Sequence, residues 1–106
     1  GTSVATRVAL TKVLSAVADQ VPSLVAGGAD LTGNTGTALA GQAAMSREEP
    51  DGRQIHFGIR EHAMGSTMNG MALHGGSIPV GGTFLVFSDY MRPAVRLAAI
   101  SNAHGC

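Results

Sequence analysis

A chain of 106 residues, 44% hydrophobic with a mean hydropathy of +0.19, is one small domain at most and carries enough apolar surface for a packed core, which excludes a disordered segment. Seven basic and seven acidic side chains cancel, and no basic run for nucleic acid or acidic tail for a basic partner occurs. Charged residues make up only 13% of the chain, sparse for a fully solvated surface, which implies faces meant to be covered by another domain or subunit.

The single cysteine, Cys106, can form no internal disulfide, in keeping with a reducing compartment. No apolar run approaches the roughly 20 residues of a membrane span. No charged-then-apolar leader is present either, so a cytoplasmic address and no membrane partner are expected.

In chain order, Leu10, Val13, Leu14, Val17 and Val21 recur at i, i+3, i+4, i+7 and i+11. That spacing predicts an amphipathic helix closed near Pro22. Residues 23–28 read as a short buried strand ended by Gly27 and Gly28. Residues 32–53 read as a long loop with a helical turn over 39–44, and loops of that length are usually functional or mobile. A strand over 54–57 follows. Met64, Met68 and Met71 then recur at helical spacing between His62 and His74, with Gly75 and Gly76 as stop residues.

A further buried strand is predicted over 83–87. Ser88 or Asp89 is expected to cap a last helix that tolerates Pro93 in its first turns and turns Val95, Ala98 and Ala99 inward. This alternation is that of an α/β layer structure, a mostly parallel sheet with flanking helices. Three strands are few for such a sheet, so the domain is expected to be incomplete at its C-terminal end.

Glu61 falls at a strand-to-helix junction. In an open parallel sheet that lies beyond the carboxyl ends of the strands, where ligands bind. A purely structural first-turn glutamate, favoured by the helix dipole, fits the same position. Asp30 follows a strand and two glycines, which suits either an Asx-turn or a side chain at the same edge. Phe84, Phe87 and Tyr90 at i, i+3 and i+6 are either core residues or the wall of an aromatic pocket. Arg7 is either an exposed helix arginine or a fork for phosphate oxygens. His56, His62, His74 and His104 form no i, i+4 pair and have no cysteine beside them, so no metal site is expected. The glycine pairs form neither a dinucleotide fingerprint nor a P-loop.

Two longer strings add to these readings. Phe57-Gly58-Ile59-Arg60-Glu61-His62-Ala63-Met64 is followed by Gly81-Gly82-Thr83-Phe84-Leu85-Val86-Phe87-Ser88-Asp89-Tyr90-Met91-Arg92-Pro93-Ala94-Val95-Arg96. In this order and separation they closely resemble the pyrimidine-binding domain of the transketolase family of thiamine-diphosphate enzymes. The resemblance reaches back to Ala5-Thr6-Arg7 and Gly27-Gly28-Ala29-Asp30-Leu31-Thr32, so it covers nearly the whole chain. It implies that residues 1–106 are part of such a domain within a larger enzyme that transfers a two-carbon ketol unit from a ketose phosphate to an aldose phosphate.

The resemblance further implies that Glu61 activates the aminopyrimidine of thiamine diphosphate, with Phe84, Phe87, Tyr90 and Asp30 around the cofactor. Arg7 would bind the sugar phosphate. Asn34 stands where the family has a serine for the same task. Mg2+ would be held by a diphosphate-binding domain, whose Gly-Asp-Gly signature does not occur here, and the full enzyme would be a homodimer. Alternatives are another thiamine-diphosphate enzyme, such as a deoxyxylulose-phosphate synthase or a dehydrogenase subunit, or a non-catalytic remnant or binding module. The string Arg60-Glu61-His62 favours transketolase among the enzymes.

Overall fold

In the computed structural model, which describes residues 3–105, the first apolar stripe folds as helix α1 (Thr6–Val17). Leu14 and Ala18 are buried, with Leu10, Val17 and Val21 half-buried beside them. Val13, expected to face inward, is exposed. The buried line runs through 10, 14, 18 and 21, and Val13 lies on its flank.

Strand β1 (Leu24–Gly28) follows, then a short helix α2 (Thr32–Thr35), strand β2 (Gln54–His56) and helix α3 (Glu61–His74). Strand β3 (Ile78–Gly82), a 3-10 turn (Leu85–Phe87) and helix α4 (Ser88–Ser101) complete the described chain. The strands lie in the order β2-β1-β3, all parallel, and helices cover both faces. On one face Leu14 and Ala18 pack against Leu24, Ala26, Leu39 and Val80. Because side chains alternate across a strand, α3 occupies the other face, where Met64 and Met68 pack with Ala29, Phe57 and Met91. Helix α3 ends as expected at Gly75, a left-handed residue whose N–H donates to the Met71 carbonyl.

Four expectations are corrected. The third strand occupies Ile78–Gly82 rather than 83–87, because β1 registers Leu24 with Ile78 and Gly28 with Gly82. The apolar run beyond it leaves the sheet as a 3-10 turn, closed by the Phe87 N–H donating to the Phe84 carbonyl at 2.9 Å. Short apolar runs do not distinguish strand from helix by periodicity. Residues 39–44 form no helical turn. They make one tight turn instead, the Gln42 N–H donating to the Leu39 carbonyl at 3.2 Å with Gly41 at φ 75. The Gln54 side chain anchors it, its Oε1 accepting from the Leu39 N–H at 2.8 Å while its Nε2 donates to the Ala26 carbonyl at 3.0 Å. Arg53 ties the same loop to the end of α1, its Nη1 donating to the Ala18 and Val21 carbonyls and its Nε to Gln42.

Neither Ser88 nor Asp89 caps α4. Both are already helical, and the Ser88 hydroxyl donates backward to the Leu85 carbonyl at 2.7 Å. The inward face of α4 runs through Met91, Ala94 and Ala98, whereas Val95 and Ala99 are exposed. Gly65 and Ala94 bring α3 and α4 together, and Asn69 Nδ2 donates to the Ala94 carbonyl at 2.8 Å. That contact rotates α4 away from the expected face.

Candidate active site at the carboxyl edge of the sheet

All three strands point the same way, so the segments leaving them meet at one edge. After β2 the chain turns tightly: the Arg60 N–H donates to the Gly58 carbonyl at 2.8 Å, and Arg60 Nη1 to the Phe57 carbonyl at 3.0 Å. Glu61 is therefore the first residue of α3 and only 8% exposed. After β1, Asp30 takes a left-handed conformation with φ 60, a region that aspartate tolerates better than most residues. After β3, Phe84, Phe87 and Tyr90 line up along the 3-10 turn into α4. Phe84 and Phe87 stack with centroids 6.1 Å apart, and Phe87 and Tyr90 tilt by 40° at 6.3 Å. Phe84 is 42% exposed and Tyr90 68%. Neither is a core residue.

These elements enclose two recesses. The first, about 420 Å³, is lined by Asp30, Glu61, Phe87 and Tyr90, with Ala29, Leu31 and Ile59 completing its wall. The second, about 370 Å³, is lined by Arg7 and Asn34 together with Thr6, Leu10, Thr35, Thr83, Phe84 and Leu85. Phe84, grouped by sequence with the first set, lines the second recess while stacking on Phe87 of the first. Ile59 and Thr83 were not singled out from the sequence. Ile59 sits in the Glu61 string and is 78% exposed. The buried Thr83 hydroxyl has no hydrogen-bond partner. Its only sequence signal is its place just after a glycine pair that ends a strand. His62 is exposed and does not line the first recess.

Among the described residues the one ion pair joins Arg92 and Asp89 at 3.7 Å on the outside of α4. Glu61, Asp30 and Arg7 thus keep their charged ends free of salt bridges. A buried carboxylate beside flat aromatic faces is suited to share a proton with a weakly basic ring nitrogen. An unpaired guanidinium beside an amide side chain is suited to an oxyanion. No group of three His, Cys, Asp or Glu side chains gathers among the described residues.

The sequence model described as the transketolase pyrimidine-binding domain matches residues 2–105. The chain belongs to this family. The transketolase of Aquifex aeolicus (strain VF5) is 52% identical over 97 residues, covering 92% of this chain and 14% of that protein. The transketolase of Halalkalibacterium halodurans is 54% identical over 100 residues, covering 94% of this chain and 15% of the relative. Among solved structures, transketolase from Leishmania mexicana superposes with a TM-score of 0.90 at 45% identity, covering 95% of this chain and 15% of that one. The Pichia stipitis transketolase in complex with sedoheptulose-7-phosphate superposes with a TM-score of 0.89 at 41% identity, covering 95% of this chain and 16% of that one. The transketolase pyrimidine-binding fold is thus shared across nearly all of this chain, which spans about a seventh of the length of these relatives.

Proposed function

We propose that residues 1–106 are part of the pyrimidine-binding domain of a transketolase, and that the first recess holds the aminopyrimidine of thiamine diphosphate. In the parent enzyme the reaction is transfer of a two-carbon ketol unit from a ketose phosphate to an aldose phosphate. The observation that carries this reading is the 8% exposed Glu61, opening without a cationic partner into a cavity walled by Phe87 and Tyr90. The residues fit such a ring. An aromatic wall encloses a flat heterocycle, and a carboxylate at its edge shares a proton with a ring nitrogen. Thiamine diphosphate, when bound with Mg2+ held by a partner domain, supplies the nucleophilic carbon for the transfer. Glu61 holds the shared proton, Phe87 and Tyr90 orient the ring, and Asp30 adds a second carboxylate to the same recess.

Arg7 and Asn34 are read as the contacts for the sugar phosphate, with Asn34 donating where the family uses serine. Support comes from their meeting in one recess, and from the sedoheptulose-7-phosphate complex of the Pichia stipitis relative. The reading includes a diphosphate-binding domain and a second copy of the enzyme as partners, supported by exposed apolar side chains at the rim, Ile59 and Leu85 above all. It also includes a cytoplasmic address, in keeping with the lone cysteine; no helix among the described residues is long and apolar enough to cross a membrane.

The test is Glu61→Gln in the complete parent enzyme. Hydrogen–deuterium exchange at the thiazolium carbon should slow by about 10²–10⁴-fold, the usual contribution of a positioned acid–base group. Exchange at the wild-type rate would remove Glu61 from the reaction.

A further inference from the structure

We infer that Gly36, working with Gly82, fixes the separation of Arg7 and Asn34, and so acts as a positioning residue for recognition of the substrate's phosphorylated end. The inference rests on reading the second recess as the phosphate site.

Helix α2 carries Asn34 and is only four residues long, too short to hold its own position. Its place is set by what it touches at its C-terminal end. There Gly36 adopts φ 80 and ψ 18, and its N–H donates to the Thr32 carbonyl. A Cβ at Gly36 would collide with the backbone carbonyl oxygen of Arg7 and lie 2.8 Å from Thr11 Oγ1. Those two groups form one unit, because the Thr11 hydroxyl donates to that same carbonyl at 2.9 Å. On the other side, Thr35 and the fully buried Thr37 press on the end of β3. A Cβ at Gly82 would collide with Thr35 Oγ1 and lie 2.7 Å from Thr37 Cγ2.

The end of α2 is thus held between the first turn of α1, where Gly36 meets backbone, and the end of β3, where the Thr35 and Thr37 side chains meet Gly82. Arg7 is the residue whose carbonyl meets Gly36, and Asn34 lies two positions before it. Any side chain at 36 drives α1 away from α2, since backbone cannot swing aside as a long side chain can. Ordinary carbon contacts sit at about 3.5–4.0 Å. The retreat is therefore on the order of 1 Å, a misplacement that can cost a positioned interaction about 10²-fold. Neither glycine lines the recess of Glu61 and Asp30, so the effect should be selective.

The experiment uses the complete parent enzyme carrying Gly36→Ala, assayed with a phosphorylated aldose acceptor and its unphosphorylated counterpart. KM for the phosphorylated acceptor should rise by about 10–10²-fold. Values of kcat, KM for the unphosphorylated acceptor and affinity for thiamine diphosphate should stay within about twofold, as for loss of uniform binding. Equal losses on both acceptors would mean that Gly36 serves folding alone, and would overturn the inference. Arg7→Ala is measured beside it as the direct probe of phosphate recognition. A selective loss in Arg7→Ala with none in Gly36→Ala overturns the positioning role and leaves the phosphate reading standing. No selectivity in either variant sinks both. Should Gly36→Ala fail to fold, Gly36→Asn carries the same Cβ on a backbone that tolerates positive φ, and is judged by the same outcomes.

Discussion

Arg7 and Glu61 line different recesses, and that separation decides what each substitution does. A contact made equally in ground and transition states raises KM and leaves kcat largely unchanged when it is removed. Arg7→Ala in the parent enzyme should therefore weaken phosphorylated acceptors by about 1.5–3 kcal/mol, the range for hydrogen bonds to charged groups. Steady-state kinetics on a phosphorylated and an unphosphorylated acceptor measure it, and equal losses on both would make Arg7 structural. Asp30 poses a different question, because its backbone is left-handed as well as its side chain charged. Asparagine tolerates that conformation and removes only the charge. Alanine adds a strain of about 1–2 kcal/mol. Thermal unfolding of the parent enzyme should therefore come earlier for Asp30→Ala than for Asp30→Asn; coinciding transitions would mean that the turn carries no strain.

At the scale of elements, the long connection between α2 and β2 is held by one backbone bridge, Ala44 on Gln54, and by side chains. Gln54 alone satisfies a buried N–H at Leu39 and engages a carbonyl on β1. Gln54→Leu should leave the buried Leu39 N–H unpaired, at about 1–3 kcal/mol, while the Ala26 carbonyl keeps its place in the β1–β2 ladder. Amide hydrogen exchange should quicken at Leu39 before the sheet loosens, and unchanged protection there would show that the loop is held otherwise. This explains what the sequence could and could not reveal. Met64 and Met68 announce α3 because helical spacing and burial coincide there, and Glu61 is legible because a strand and a helix visibly flank it. The loop was opaque because one glutamine's reach of fifteen residues leaves no periodic trace. The place of Phe84, on the second recess while stacked on Phe87 of the first, was hidden for a related reason: the run after Gly82 exits the sheet, and only the register of β3 on β1 reveals where it does so. The inward face of α4 follows from Gly65 meeting Ala94, a tertiary contact that apolar spacing within α4 cannot encode.

Across the whole molecule, exposed apolar side chains occur on α1, α3 and α4 as well as at the carboxyl edge. Ile59, Leu85, Val86 and Tyr90 all stand open at the carboxyl edge, on a chain of zero formal net charge. An apolar rim without charge repulsion favours association, so this edge is suited to being covered. The first recess accordingly has the shape of half a site. On the proposed reading, Glu61, Asp30 and the aromatic wall would contact one end of a cofactor, while nothing in the sequence matches the Gly-Asp-Gly signature through which a partner domain would hold diphosphate and metal. A ring bound through a single wall lacks the remote contacts whose binding energy orients the reacting atoms. The purified 106-residue chain should consequently show no ketol transfer, even with saturating thiamine diphosphate and Mg2+. The measurement is a coupled assay with a ketose phosphate donor and an aldose phosphate acceptor. The parent enzyme serves as positive control. Turnover above the blank by the chain alone would mean that these residues hold the whole cofactor, and the division of the site between domains would have to be abandoned.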